Sequence, residues 1–281
     1  MSLFHERNGK FSPEKTLALV GSVLPAIWLG AWAVAGDLGA RPVSAAIHFS
    51  GLWAIRLLLV SLAVTPARRI FHWPRLVLAR RILGVAAMCY ALLHLGLYAM
   101  DQGWNIGTVA REIVLRFYLT IGAVGVAFLV ALGATSFDSV IRRMGGKRWN
   151  ALHATVYGIA ILASVHFFIQ SKLDVTEAVL TTGLLIWLFA YRLWHRRTNA
   201  VGPLALFALA GLSAVLTALL EIAWYGLFTG VSPWLVAQAN FQPGLGISPA
   251  LWVLAAGLGV ALAGTVRLKV LPPAKVARAR A

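Results

Sequence analysis

Histidine is the residue type in this chain best suited to holding a redox metal. The single cysteine, Cys89, can build neither a disulfide nor a C-x-x-C-H haem attachment nor a thiolate-ligated cluster. Of the seven histidines, His48, His94, His153 and His166 fall within apolar stretches. His5, His72 and His195 fall in a tail, a basic loop and a helix end, where a solvated imidazole is the ordinary state. Metal-binding groups at membrane depth are costly, and that cost makes the first four the functional candidates.

The elements that must position them are membrane helices. The 281 residues are 60% hydrophobic and 12% charged, with a mean hydropathy of +0.80, and typical soluble domains carry about 25% charge, so a soluble enzyme is excluded. Residues 16–36, 82–100, 117–137 and 149–171 contain no Asp, Glu, Lys or Arg, and each is long enough to cross a hydrocarbon core of about 30 Å. The reading is an all-α integral membrane protein with about eight transmembrane helices, at 16–36, 44–64, 82–100, 115–135, 151–170, 175–193, 202–226 and 247–266. The first is expected to be a retained helix, since Gly36-Asp37-Leu38 is a poor cleavage site. Of the 25 basic residues, 20 fall on one side of this arrangement, which predicts both termini in the cytoplasm of a bacterial inner membrane. The net charge of +16 is then a topology signal, and no nucleic-acid partner is expected.

In that frame helices three and five run parallel. His94 lies 12 residues into the one and His166 15 residues into the other, level to within about 5 Å. Two imidazoles from facing helices can hold a haem edge-on, and a six-coordinate iron suits electron transfer. His153 forms a second rung about 20 Å along helix five, but it points about 140° away from His166 on a straight helix, so a bend is expected if both serve one interior. At its level helix three offers Arg80 and Arg81, better suited to clamping haem propionates than to ligating iron. An inner site is therefore incomplete, differently ligated or empty. The competing account of these histidines is a set of buried imidazoles hydrogen-bonded between helices, or a proton relay. His48 is a candidate cofactor or quinone contact. Arg56 and Arg116 either neutralise propionates or reach the nearer interface.

Several stretches resemble, in order and spacing, the MsrQ (YedZ) family of haem-binding membrane subunits, which serve the periplasmic methionine sulfoxide reductase system. They are RPVSAAIHFSGLWAIRLLLVSLAVTPARR, ARRILGVAAMCYALLHLGLYAMD, REIVLRFYLTIG, ALGATS and GGKRWNALHATVYGIAILASVHF. The match spans about residues 15–195 and includes the double arginine before His94, a Thr-Pro closing helix two and the G-K-R-W-x-x-L-H entry to helix five. The family sits with the ferric-reductase-like transmembrane cytochromes, whose core is six helices. The resemblance implies haem b between helices three and five, with His94, His153 and His166 at the matching histidine positions, and a second haem as a further option. It implies electrons taken from quinones and passed to a periplasmic molybdenum-cofactor reductase, MsrP, so that the chain is an electron-transfer subunit rather than a complete enzyme. It also implies FMN, for which the chain shows no motif of its own.

Residues 1–196 are expected to form the haem-binding core, and 197–281 an appended two-helix hairpin with a basic tail. Two other functions compete. A stand-alone ferric-reductase-like carrier would normally add a nicotinamide and flavin domain, and no such strand-turn-helix follows helix six. A proton-coupled transporter would use the histidines as a relay and show no Soret band. Glu221, in helix seven, is expected to snorkel to the interface, and Gly257, Gly259 and Gly264 to serve helix packing.

Overall fold

Apolar segments in lipid must satisfy every backbone N–H and C=O internally, which leaves the helix as the solution for each of these runs. The computed structural model describes residues 4–6, 9–172, 174–242, 244 and 246–270. The basic tail expected at 272–281 and Pro243 lie outside the described residues. Among the described residues there are twelve α-helices and no strand: α1 (Pro13–Ala35), α2 (Pro42–Ile70), α3 (Val77–Asp101), α4 (Ile106–Leu115), α5 (Phe117–Ala134), α6 (Asp138–Met144), α7 (Gly146–Ala154), α8 (Val156–Ser171), α9 (Thr176–Thr198), α10 (Pro203–Phe228), α11 (Pro233–Ala239) and α12 (Pro249–Val270).

Seven segments are long and apolar enough to cross a membrane: α1, α2, Pro74–Asp101 with α3, α5, Gly146–Ser171 with α7 and α8, α10 and α12. The protein is an all-α integral membrane protein. The expected count of eight included the segment that folds as α9. That helix is 23 residues long, as is α1, but it carries Glu177 in its first turn and Arg192, Arg196 and Arg197 towards its end, and it is not among the seven.

Local sequence explains the helix ends. Ser12 caps α1, accepting from the Lys15 N–H at 3.4 Å, with Pro13 in the first turn, and the helix stops at Gly36, whose φ of +75° a side chain would resist. Thr65-Pro66 does not close helix two as expected. α2 runs through Pro66 to Ile70, and the chain turns only at His72 (φ +49°). The segment expected as helix four, 115–135, folds as α5 within two residues of those bounds, and Arg116, whose extended backbone (φ −108°, ψ 105°) precedes it, separates it from the short α4, which was not expected. Asn105 caps α4 through its side-chain oxygen, 3.0 Å from the Thr108 N–H.

The chain divides into two compact units, one of residues 1–64 and 77–174, the other of 65–76 and 175–281. This division falls one helix before the boundary expected at 196/197. In the first unit α5 packs on α8, α3 and α4, and α1 on α3. In the second, α10 packs on α12, α9 and α11, and α12 also packs on α9. Small residues bring these last helices close: a Cβ at Gly257 would lie 2.7 Å from the Ala210 Cβ and 3.1 Å from its Cα. Gly264 is equally tight against Ile70, whereas Gly259 faces open space.

Candidate functional site

The structure brings His94 of α3 and His166 of α8 together. Their ring centres are 6.3 Å apart, with the planes at 88°. Each ring is fixed through Nδ1, which lies 2.8 Å from the Ile47 carbonyl oxygen for His94 and 2.7 Å from the Tyr118 carbonyl oxygen for His166. A carbonyl oxygen can only accept, so Nδ1 carries the hydrogen in both rings, and each Nε2 is left with its lone pair.

One device seats both imidazoles. Ile47 and Tyr118 lie within α2 and α5, and a helical carbonyl is already engaged by the N–H four residues on. Four residues on stand Gly51 and Gly122. A Cβ at Gly51 would lie 2.9 Å from the His94 Nδ1, and one at Gly122 would lie 2.9 Å from the His166 Cε1. The missing side chain lets the imidazole reach the helix groove and share the carbonyl's second lone pair.

The spacing fits a single metal. With a metal to imidazole nitrogen bond of about 2 Å, and the ring centre roughly 1 Å further on, two axial imidazoles set their centres about 6 Å apart. The 6.3 Å separation meets this, and the glycine cradles hold the rings where a Cβ would displace them. No group of three or more His, Cys, Asp or Glu side chains able to hold a metal occurs among the described residues. A centre at this pair would take two ligands from the protein and the rest from elsewhere.

The other candidates stand around or apart from this pair. His48, on α2, is close enough to His94 to interact electrostatically. His153 is in α7, stacked on Trp149 with ring centres 3.9 Å apart, and its Nε2 is 3.2 Å from the Thr135 Oγ1. Arg80 and Arg81 are within electrostatic reach of His153, as the level matching of helices three and five implies. Arg81 forms an ion pair with Asp138 at 2.7 Å, and the Arg80 carbonyl accepts from Ser61 Oγ at 3.2 Å. Arg116 is exposed, ion-paired to Glu112 and donating to the Tyr118 Oη at 3.3 Å. Those two neighbours raise its pKa, so its guanidinium stays charged. Arg56 lies over the Trp53 ring, 5.5 Å from its centre.

The bend expected between His153 and His166 is a true interruption. Thr155 separates α7 from α8, and its hydroxyl donates to the Leu152 carbonyl at 2.7 Å, a back-bond that bends helices. Sequence reasoning missed the two glycines, the two carbonyls and the polar partners of His153. The available signal was glycine on the helices that face the histidines. Glu221 accepts from Asn240 Nδ2 at 2.9 Å.

A pair of backbone-anchored imidazoles between the helices of a multi-pass membrane protein is an arrangement that can take a metal between its two rings. Residues 50–164 match the ferric reductase like transmembrane component, a span that contains His94 and His153 and ends just before His166. The chain is 42% identical over 175 residues to a protein-methionine-sulfoxide reductase heme-binding subunit MsrQ of Rhodospirillum rubrum, covering 62% of this chain and 84% of that one. Proteins of the same name from Polaromonas naphthalenivorans and Caulobacter vibrioides are 36% and 37% identical, over 66% and 63% of this chain and 86% and 84% of theirs. The chain belongs to the MsrQ family. No solved structure matches it.

Proposed function

We propose that this protein is a membrane cytochrome b that carries electrons from the quinone pool to a periplasmic molybdenum-cofactor reductase of the MsrP type, which repairs oxidised methionine. The observation that carries the reading is the His94–His166 pair, 6.3 Å between ring centres, with both Nδ1 atoms tied to carbonyls and both Nε2 atoms left for iron. Relatives named as heme-binding subunits of protein-methionine-sulfoxide reductase support it.

Haem b, when bound, would supply reversible one-electron chemistry at its iron. The chain's own residues do the rest. His94 and His166 would hold the iron through Nε2, and their Nδ1–H bonds to Ile47 and Tyr118 fix ring orientation and would raise ligand basicity. Gly51 and Gly122 admit the rings to their helices. The apolar surroundings exclude water, which favours electron passage over side reactions at the metal.

His94 is seven residues from the end of α3, about 10 Å from that helix end, and Tyr118 is in the first turn of α5. The asymmetry of basic residues assigns that end to the periplasm, with both termini in the cytoplasm and α9 as an eighth span, which puts electron exit on the side of the reductase. His48, beside His94, is the candidate quinone contact. His153 with Arg80 and Arg81 forms a second, inner polar site suited to propionates or to a second haem. Arg116, at the α4–α5 junction, already has Glu112 as a partner, and Arg56, in the middle of α2, lies over the Trp53 ring; we assign no haem propionate to either. The family resemblance also implies FMN, and no residue is assigned to it.

The test is a reduced-minus-oxidised spectrum with pyridine haemochromogen quantitation on the wild type and on His94→Ala, His166→Ala and His153→Ala. Either of the first two changes is expected to abolish the low-spin haem, and an unchanged Soret band in both defeats the reading. A haem count that falls from two to one in His153→Ala identifies the inner site as a second haem site.

A further inference from the structure

The second unit, 65–76 with 175–281, contains a cavity of about 730 Å³ that the electron-transfer reading does not use. Its polar lining is Arg68, Arg69, His72, Tyr191, His195, Asn199 and Thr265, and no Asp or Glu is among the described residues that line it. Two adjacent guanidinium groups and two imidazoles thus share a recess without a carboxylate. The His195 ring stacks on Tyr191 at 6.1 Å with planes 4° apart, and its Nδ1 is shielded from solvent without a hydrogen-bond partner. A buried ring nitrogen left unmatched is expensive unless something meets it.

The backbone adds to the same bias. α10 starts at this cavity, where Val201, Pro203 and Leu206 line it, and its cap residue Gly202 offers no side-chain acceptor to the first-turn N–H groups. An uncapped helix N-terminus favours an anion. His72 and Asn199, at φ +49° and +56°, are two of the four non-glycine residues with positive φ among the described residues. Both line this cavity. Arg68 and Arg69 suit the last turn of a helix on dipole grounds alone. That explains their place on α2, and it leaves the recess and the unmatched His195 nitrogen unexplained.

We infer that this cavity binds the phosphate group of an anionic ligand, with Arg68 and Arg69 as the charged clamp, His195 and the start of α10 as further donors, and Ile70, Leu206 and Leu268 against its apolar part. Arginine is suited to this task because its planar fork matches phosphate oxygens in pairs. The phosphate comes either from an anionic phospholipid headgroup or from a soluble phosphate, and the cavity size suits a small molecule or a headgroup. The inference is independent of the haem assignment, since none of these residues belongs to the first unit.

The test uses the full-length protein in detergent, followed by native mass spectrometry and thermal shift. The probes are phosphatidylglycerol, phosphatidylcholine and inorganic phosphate. Arg68→Gln/Arg69→Gln removes the clamp, and Arg196→Gln/Arg197→Gln removes equal charge from exposed positions outside the cavity lining. Phosphatidylglycerol is expected to be retained about tenfold better than phosphatidylcholine, and the clamp variant to lose that margin, as one charge-assisted pair implies. The control variant is expected to keep it. Binding of inorganic phosphate without lipid, lost in the clamp variant, supports the inference with a soluble source. Equal retention of both lipids with no phosphate binding overturns it, and so does equal loss in the two variants. The wild-type lipid comparison decides alone if the clamp variant does not fold, and far-UV circular dichroism with the gel-filtration profile reports folding separately.

Discussion

Gly51 and Gly122 set the positions of His94 and His166 as firmly as the hydrogen bonds do. Each leaves space for one imidazole on the carbonyl four residues back, and a Cβ in either place comes within 2.9 Å of ring atoms. Gly51→Ala and Gly122→Ala are therefore expected to push the rings off their carbonyls at a cost of about 1–3 kcal/mol, the range for overpacking. Haem content per protein, read from the pyridine haemochromogen, should fall in both while expression holds. A full complement of haem in both variants would show that the cradles do not position the ligands. The histidine pair was legible in the sequence, because 12 and 15 residues along two parallel helices are nearly level. The glycines were not, since their role depends on which face of α2 meets α3 and which face of α5 meets α8.

At the scale of elements, interruptions decide which polar groups meet. Thr155 breaks the segment between His153 and His166, and α7 turns His153 onto Trp149 and Thr135. Thr135→Val removes the hydroxyl beside the His153 Nε2. It is expected to alter any inner haem signal while leaving the His94–His166 spectrum unchanged; a change in the outer low-spin band would contradict the separation of the two sites. Asp138, in α6, pairs with Arg81 of α3 at a position where both side chains are about 30% exposed. Such pairs contribute little, so Asp138→Asn should lower stability by at most about 1 kcal/mol in a thermal-shift assay. Hydropathy located these segments well, with α5 beginning two residues from its expected start, and missed the short helix α4. The α4–α5 junction at Arg116 is fixed by Glu112 four residues earlier and by Tyr118, contacts that an apolar run does not reveal. Conversely, Thr65-Pro66 looks like a stop and lies inside α2.

At the scale of the molecule, the charge asymmetry makes a topological prediction. In a Cys89→Ser background, a cysteine replacing Gln102 should react with an impermeant thiol reagent added outside, and one replacing Arg143 only after permeabilisation. The reverse pattern would invert the assigned direction of electron exit. Gly257→Leu is expected to cost about 1–3 kcal/mol by forcing α12 off Ala210, with haem content unchanged, because the histidines belong to the other unit. The membrane class and the helices of the core were readable from composition and charge. The membership of the second unit was not, since it takes residues 65–76 from far upstream. That membership has a consequence for biosynthesis. The Arg267 Nε donates to the Phe71 carbonyl at 3.3 Å across 196 residues of chain, and Gly264 closes on Ile70. At about 5–20 residues per second, the end of α2 waits roughly 10–40 s for its partners to leave the ribosome. A chain cut after residue 196 would leave the Phe71 carbonyl and Ile70 without these two contacts.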